Sequence, residues 1–108
     1  MPVKYVQRGD AVDYVPVAAV QSGDVVVQGE LVGVAKLPIP AGRLGALAVS
    51  GTFDFPKATG SAIAAGALCY WDATNQRATT TATGNKLIGK CVRAAVDADT
   101  TVRIRMLQ

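Results

Sequence analysis

The sequence predicts a single all-β domain, a small barrel or sandwich of short strands, and three observations predict it. Five prolines and eleven glycines in 108 residues cut the chain into short pieces and exclude long helices. Half the residues are apolar, and Ala and Val carry that share rather than aromatics; small and β-branched side chains suit thin, closely packed sheets. Apolar and polar residues alternate cleanly in Thr101-Val-Arg-Ile-Arg-Met-Leu107. Val102, Ile104 and Met106 point one way there and Arg103 and Arg105 the other, so one face meets a core and the other meets water or a partner.

Taken in order, the chain divides into a candidate N-terminal arm, residues 1–9, and a β-domain, residues 10–108. The arm sets Tyr5 and Val6 beside Lys4 and Arg8, a mixture suited to a partly buried interface with a neighbour or partner. An ordinary first strand is the equal alternative. Leu31-Val-Gly-Val-Ala-Lys-Leu37 and Leu47-Ala-Val-Ser-Gly-Thr-Phe-Asp-Phe55 are β-rich and bounded by Gly or Pro. Thr59 or Ser61 could cap one short helical turn over residues 62–65, ended by Gly66. Asp72-Ala-Thr-Asn75-Gln76 predicts a hairpin between Leu68-Cys-Tyr-Trp71 and the Thr-rich stretch 77–83. Asp97-Ala-Asp99 reads as the turn before the last strand.

A weak repeat runs through this pattern. Val20-Gln-Ser22-Gly23-Asp-Val25, Ile39-Pro-Ala41-Gly42-Arg-Leu44 and Ile63-Ala-Ala65-Gly66-Ala-Leu68 each look like a tight turn whose Gly permits positive φ before a strand begins. Leu31-Val-Gly33-Val is echoed by Leu87-Ile-Gly89-Lys. Together they suggest two related β-layers, with the 72–83 hairpin inserted in the second. A domain of this length buries about two thirds of its unfolded surface and needs neither metal nor disulfide to fold.

Function classes are narrowed mainly by what the chain lacks. It has no histidine, which removes Ser-His and Cys-His nucleophile pairs and most zinc sites. Glu30 is the sole glutamate, and the aspartates sit in turn-like or strand-end contexts with no acid/base spacing. Asp97 and Asp99 could hold a cation, but a plain turn accounts for them. No catalytic residue, metal or other cofactor is expected. No signal peptide follows Met1, and no apolar run is long enough to span a membrane. Cys69 and Cys91 are then expected to stay reduced in a cytoplasm.

Two decoys need separate treatment. Gly84-Asn-Lys-Leu-Ile-Gly89-Lys90-Cys91 matches a phosphate-binding loop up to its last position, where Cys91 replaces the hydroxyl that ligates magnesium. Neither a buried parallel strand before it nor a helix after it is predicted. Phe53 and Phe55 beside Lys57, Arg103 and Arg105 could serve single-stranded nucleic acid. However, the net charge is only +3, the basic residues are dispersed, and the aromatics are few. Phe53, Phe55, Tyr70, Trp71, Val102 and Ile104 are therefore assigned to the core and its rim.

The order of motifs has a family resemblance. Lys4-Tyr5-Val6-Gln7-Arg8-Gly9-Asp10 is followed by Ser22-Gly23-Asp24, by Leu31-Val-Gly33-Val-Ala35, and by Gly51-Thr-Phe53-Asp-Phe55-Pro56-Lys57-Ala58-Thr59. Tyr70-Trp71-Asp72 and Thr83-Gly84-Asn85-Lys-Leu-Ile-Gly89 complete the set. This resembles a family of small tailed-phage head-decoration, or capsid cement, proteins, once known only as a domain of unknown function and sometimes labelled predicted RecA/RadA-type phage recombinases. The resemblance implies a β-rich homotrimer on the outer surface of the phage head, made in the bacterial host cytoplasm and bound to the major capsid protein. A RecA-type ATPase needs a complete phosphate loop and a doubly wound parallel sheet, which this chain does not predict. A single-strand nucleic-acid-binding accessory protein of phage recombination is the alternative from another class.

Overall fold

In a computed structural model, residues 3–6 and 9–106 are described, and they form two antiparallel sheets with no helix. The first sheet contains β1 (Ala11–Tyr14), β2 (Val25–Gln28), β3 (Leu31–Val34) and β4 (Gly45–Ala48), in the order β1-β4-β3-β2. The second contains β5 (Gly51–Pro56), β6 (Leu68–Asp72), β7 (Arg77–Thr79), β8 (Lys86–Arg93) and β9 (Thr101–Met106), in the order β5-β9-β8-β6-β7. The architecture is an all-β sandwich rather than a closed barrel. The second sheet curls until its two edges touch at one parallel bridge, Lys57 with Ala78, but no ladder runs between them.

Period-two patterning builds the main core. On β9, Val102, Ile104 and Met106 are buried while Thr101, Arg103 and Arg105 are exposed. Phe55, Cys69, Trp71, Ile88 and Cys91 join them from the rest of the second sheet, and Val32 and Val34 pack onto them from the first. A smaller cluster of Val20, Ala35, Ile39 and Leu47 forms against the other face of the first sheet. Gly33 is required there: a Cβ at this position would stand 2.8 Å from the Leu47 Cβ. The glycine in the Val32–Val34 strand therefore lets β4 lie close to β3.

One β-rich stretch divides in two, and one local expectation, the helical turn, is corrected. The stretch 47–55 is not one strand. It divides at Val49 and Ser50 into β4 and β5, which belong to different sheets, and Gly51 at φ 112° makes the crossing. Residues 62–65 form no helical turn. Ile63 is instead fixed by two backbone bonds with Ala95, both 2.9 Å, and Ala65-Gly66 turns the chain into β6. A long-range bridge that buries Ile63 in the main core prevails over the weak helix propensity of three alanines.

The sequence repeat corresponds to a duplicated four-stranded unit, repeated nearly bond for bond. Val20 and Ile39 exchange bonds of 2.9 and 2.8 Å, as Ile63 and Ala95 do. Gly23 donates to the Ala35 carbonyl and Ala35 to that of Asp24; Gly66 donates to Cys91 and Cys91 to Ala67 in the same pattern. The turns Pro40–Arg43 and Val96–Asp99 close with matching bonds of 3.1 and 3.0 Å. Strand order agrees as well: β1-β4-β3-β2 maps onto β5-β9-β8-β6, and β7 alone has no counterpart.

Candidate interaction surface

The residues singled out for chemistry are occupied by the fold. The phosphate-loop decoy is a turn at Gly84, with φ 77°, followed by β8, which lies between β6 and β9. Lys90 is paired in register with Leu68 and Arg105 on an antiparallel ladder. Asp99 accepts a bond from the Val96 amide at 2.9 Å and so closes the turn into β9. Among the described residues, no group of three or more His, Cys, Asp or Glu side chains could hold a metal ion.

Lys57 is the one charged side chain that is buried among the described residues, at 5% exposure. Its ammonium donates to the Ala58 carbonyl at 2.8 Å and to the Asp99 carbonyl at 3.1 Å. This cation therefore ties the end of β5 to the 97–99 turn. Arg103 holds Asp54 across the β5–β9 ladder at 3.0 Å. Its guanidinium bond keeps the Asp54 carboxyl below the ordinary range.

A stacking platform beside cations is not assembled. Phe55 is buried and Phe53 is half-buried, edge-on to Phe55 with centroids 6.4 Å apart. Phe55 in turn lies 6.1 Å from the buried Trp71. Arg103 and Arg105 occupy the opposite face of the same sheet, separated from the aromatics by the pleat, and Lys57 is buried against two carbonyls. Val102 and Ile104 are buried, whereas Tyr70 is half-buried and alternates with the buried Cys69 and Trp71 along β6.

What the surface does present is apolar. An open groove of about 750 Å³ runs along β4 and the segment preceding it, lined mainly by Leu37, Pro38, Ile39, Leu44 and Ala46, with Asp10, Lys36 and Ser50 also on its wall. Leu37 and Leu44 are 75% and 70% exposed. The duplicated unit carries a groove of about 330 Å³ in the corresponding place, along β9 and residues 93–95, but Asp54, Arg93, Asp99 and Arg103 make it polar. The apolar lining is thus a property of the first unit's sequence, since the same backbone tolerates charge. Sequence reasoning missed this groove because its leucines sit singly in turn-rich segments rather than on a strand. In the candidate arm, Lys4, Tyr5 and Val6 are exposed and belong to no strand, and Arg8 lies outside the described residues.

Fold and surface together define a two-sheet β-module that exposes apolar side chains along its first unit. The family model for phage cement proteins matches residues 6–106, and the chain belongs to that family. Among curated proteins and among solved structures, none matches it. Membership gives the protein a structural, capsid-associated role in a bacteriophage and places it in the virion.

Proposed function

We propose that the protein decorates the outer surface of the phage head as a non-catalytic homotrimer and stabilises the shell by contacts with the major capsid protein. The match to the cement family over nearly the whole chain carries this reading. The exposed leucines around the first groove support it, because contiguous apolar surface on a small domain marks a contact site. Many weak contacts repeated over a symmetric lattice add avidity without any single strong site. Residues 1–9 act as an arm, with Lys4, Tyr5, Val6 and Arg8 reaching a neighbouring molecule. The protein is made in the host cytoplasm and needs no cofactor for this role. The separation of Phe53 and Phe55 from Arg103 and Arg105 weighs against the nucleic-acid alternative.

Electron microscopy of undecorated heads incubated with the purified protein tests the proposal. Ordered extra density on the outer surface, with heads that survive heating or low salt better, is the expected result. Bare heads at saturating protein would overturn it.

A further inference from the structure

The two units of the duplication differ at one sheet edge. In the second unit the outer edge of β6 is covered by β7, with Tyr70, Trp71 and Asp72 paired to Thr79, Ala78 and Arg77. The covering strand is short and buries one small side chain, Ala78. In the first unit the equivalent edge belongs to β2, which among the described residues has a ladder with β3 alone. Its sequence is Val25-Val-Val-Gln28, half-buried over the three valines. It carries no lysine, proline or bulge of the kind that keeps an open edge from pairing.

We propose that this edge accepts the N-terminal arm of a second copy of the chain, which adds a strand where the second unit has β7. The proposal rests on the reading that the protein self-associates. The chemistry of the occupant follows from the arm itself. Val3, Tyr5 and Val6 are 101%, 78% and 83% exposed, belong to no strand, and offer backbone and apolar side chains to whatever they meet. Strand addition uses both, main-chain bonds for affinity and alternate side chains for register. The donor is a second copy because of sheet order. The arm leads into β1, at the opposite edge of the sheet from β2. Three strand spacings, roughly 14 Å, separate the two edges, and an arm reaching its own β2 would have to cross the sheet face. Donor and acceptor are different surfaces, so the contact is head-to-tail and closes into a ring when the rotation allows.

Amide exchange of Val25–Gln28 tests the proposal, in the full chain and in a chain lacking residues 1–9. The wild-type assembly is expected to protect β2, and deletion to speed its exchange about tenfold or more, while β6 under its own β7 stays unchanged. Under air oxidation, mixing Tyr5→Cys chains with Gln28→Cys chains should give an intermolecular disulfide, with little background from the buried Cys69 and Cys91. Exchange at β2 that ignores the deletion in a protein still assembled would overturn the inference and leave self-association standing. A disulfide absent from the mixture but formed within single chains that carry both Tyr5→Cys and Gln28→Cys would assign the arm to its own β2, and protection gained only on adding heads would make capsid protein the occupant; either result overturns the proposal. A monomeric wild type would remove the self-association reading and the inference with it.

Discussion

Trp71 shows how much one residue carries in a core with so few aromatics. It is 3% exposed, packs against Phe55, and pairs with Ala78 in the β6–β7 hairpin of the second sheet. Truncation would leave a cavity that neighbouring strands cannot fill, so Trp71→Ala should cost about 3–5 kcal/mol or prevent folding. Denaturant unfolding measures it; full stability with lost head binding would show Trp71 to be a contact residue instead. The cysteines make a second residue-scale case. Burial pushes the Cys69 thiol up to about 11, and Cys91 nearby adds to the effect. A thiol raised in the folded state supports folding below its ordinary value of 9.0, and that support is lost as pH rises toward 11. Cys69 should therefore resist alkylation at neutral pH unless the protein is unfolded, and stability should fall above pH 9.0 by more than in Cys69→Ala.

At the scale of elements, the β6–β7 hairpin depends on one carboxylate. Asp72 accepts bonds from the backbone amides of Thr74 and Asn75 and from the Asn75 side chain, at 3.1, 3.2 and 2.8 Å. These hold its carboxyl below the ordinary range, with the Asn75 side chain contributing most. The turn they organise is strong enough to hold Gln76 at φ 54°. Asp72→Ala should loosen β7 without unfolding the sandwich, and amide exchange at residues 77–79 would register it. For a carboxyl lowered in the folded state the contribution is present at neutral pH and lost as pH falls, so acid should loosen the wild-type hairpin in the same way. Unchanged exchange at β7 in the variant would move control of the hairpin to packing around Ala78. This turn was legible in the sequence because Asp, Asn and Gln act within four residues. The split of residues 47–55 was not, since the partners of β4 and β5 lie far along the chain.

For the whole molecule, surface composition argues for assembly. Val15, Val17, Leu37, Leu44, Leu68, Val92 and Val96 all remain exposed. Copies of the chain can cover that surplus, and a threefold ring suits the local threefold positions of a capsid lattice. Sedimentation at micromolar concentration should give the mass of a trimer. A monomer there would defeat the assembly claim, whatever the heads bind.

The sequence by itself determined the all-β class, the last strand and its inward face, the Asp72 turn and the repeat that marks a duplication. Each of these is local: a period of two, a turn residue, or a glycine at a fixed place in a short motif. Tertiary structure alone decided sandwich over closed barrel, because the second sheet's edges meet at the single bridge of Lys57 with Ala78. It also decided that Ile63 bridges Ala95 instead of starting a helical turn, that Lys57 is buried under two carbonyls, and that one groove is mainly apolar while its duplicate is mainly polar. These outcomes depend on which distant segments come into contact. Loop closure over long sequence separations is driven by the total apolar burial of the folded chain, and no short window of sequence contains that sum.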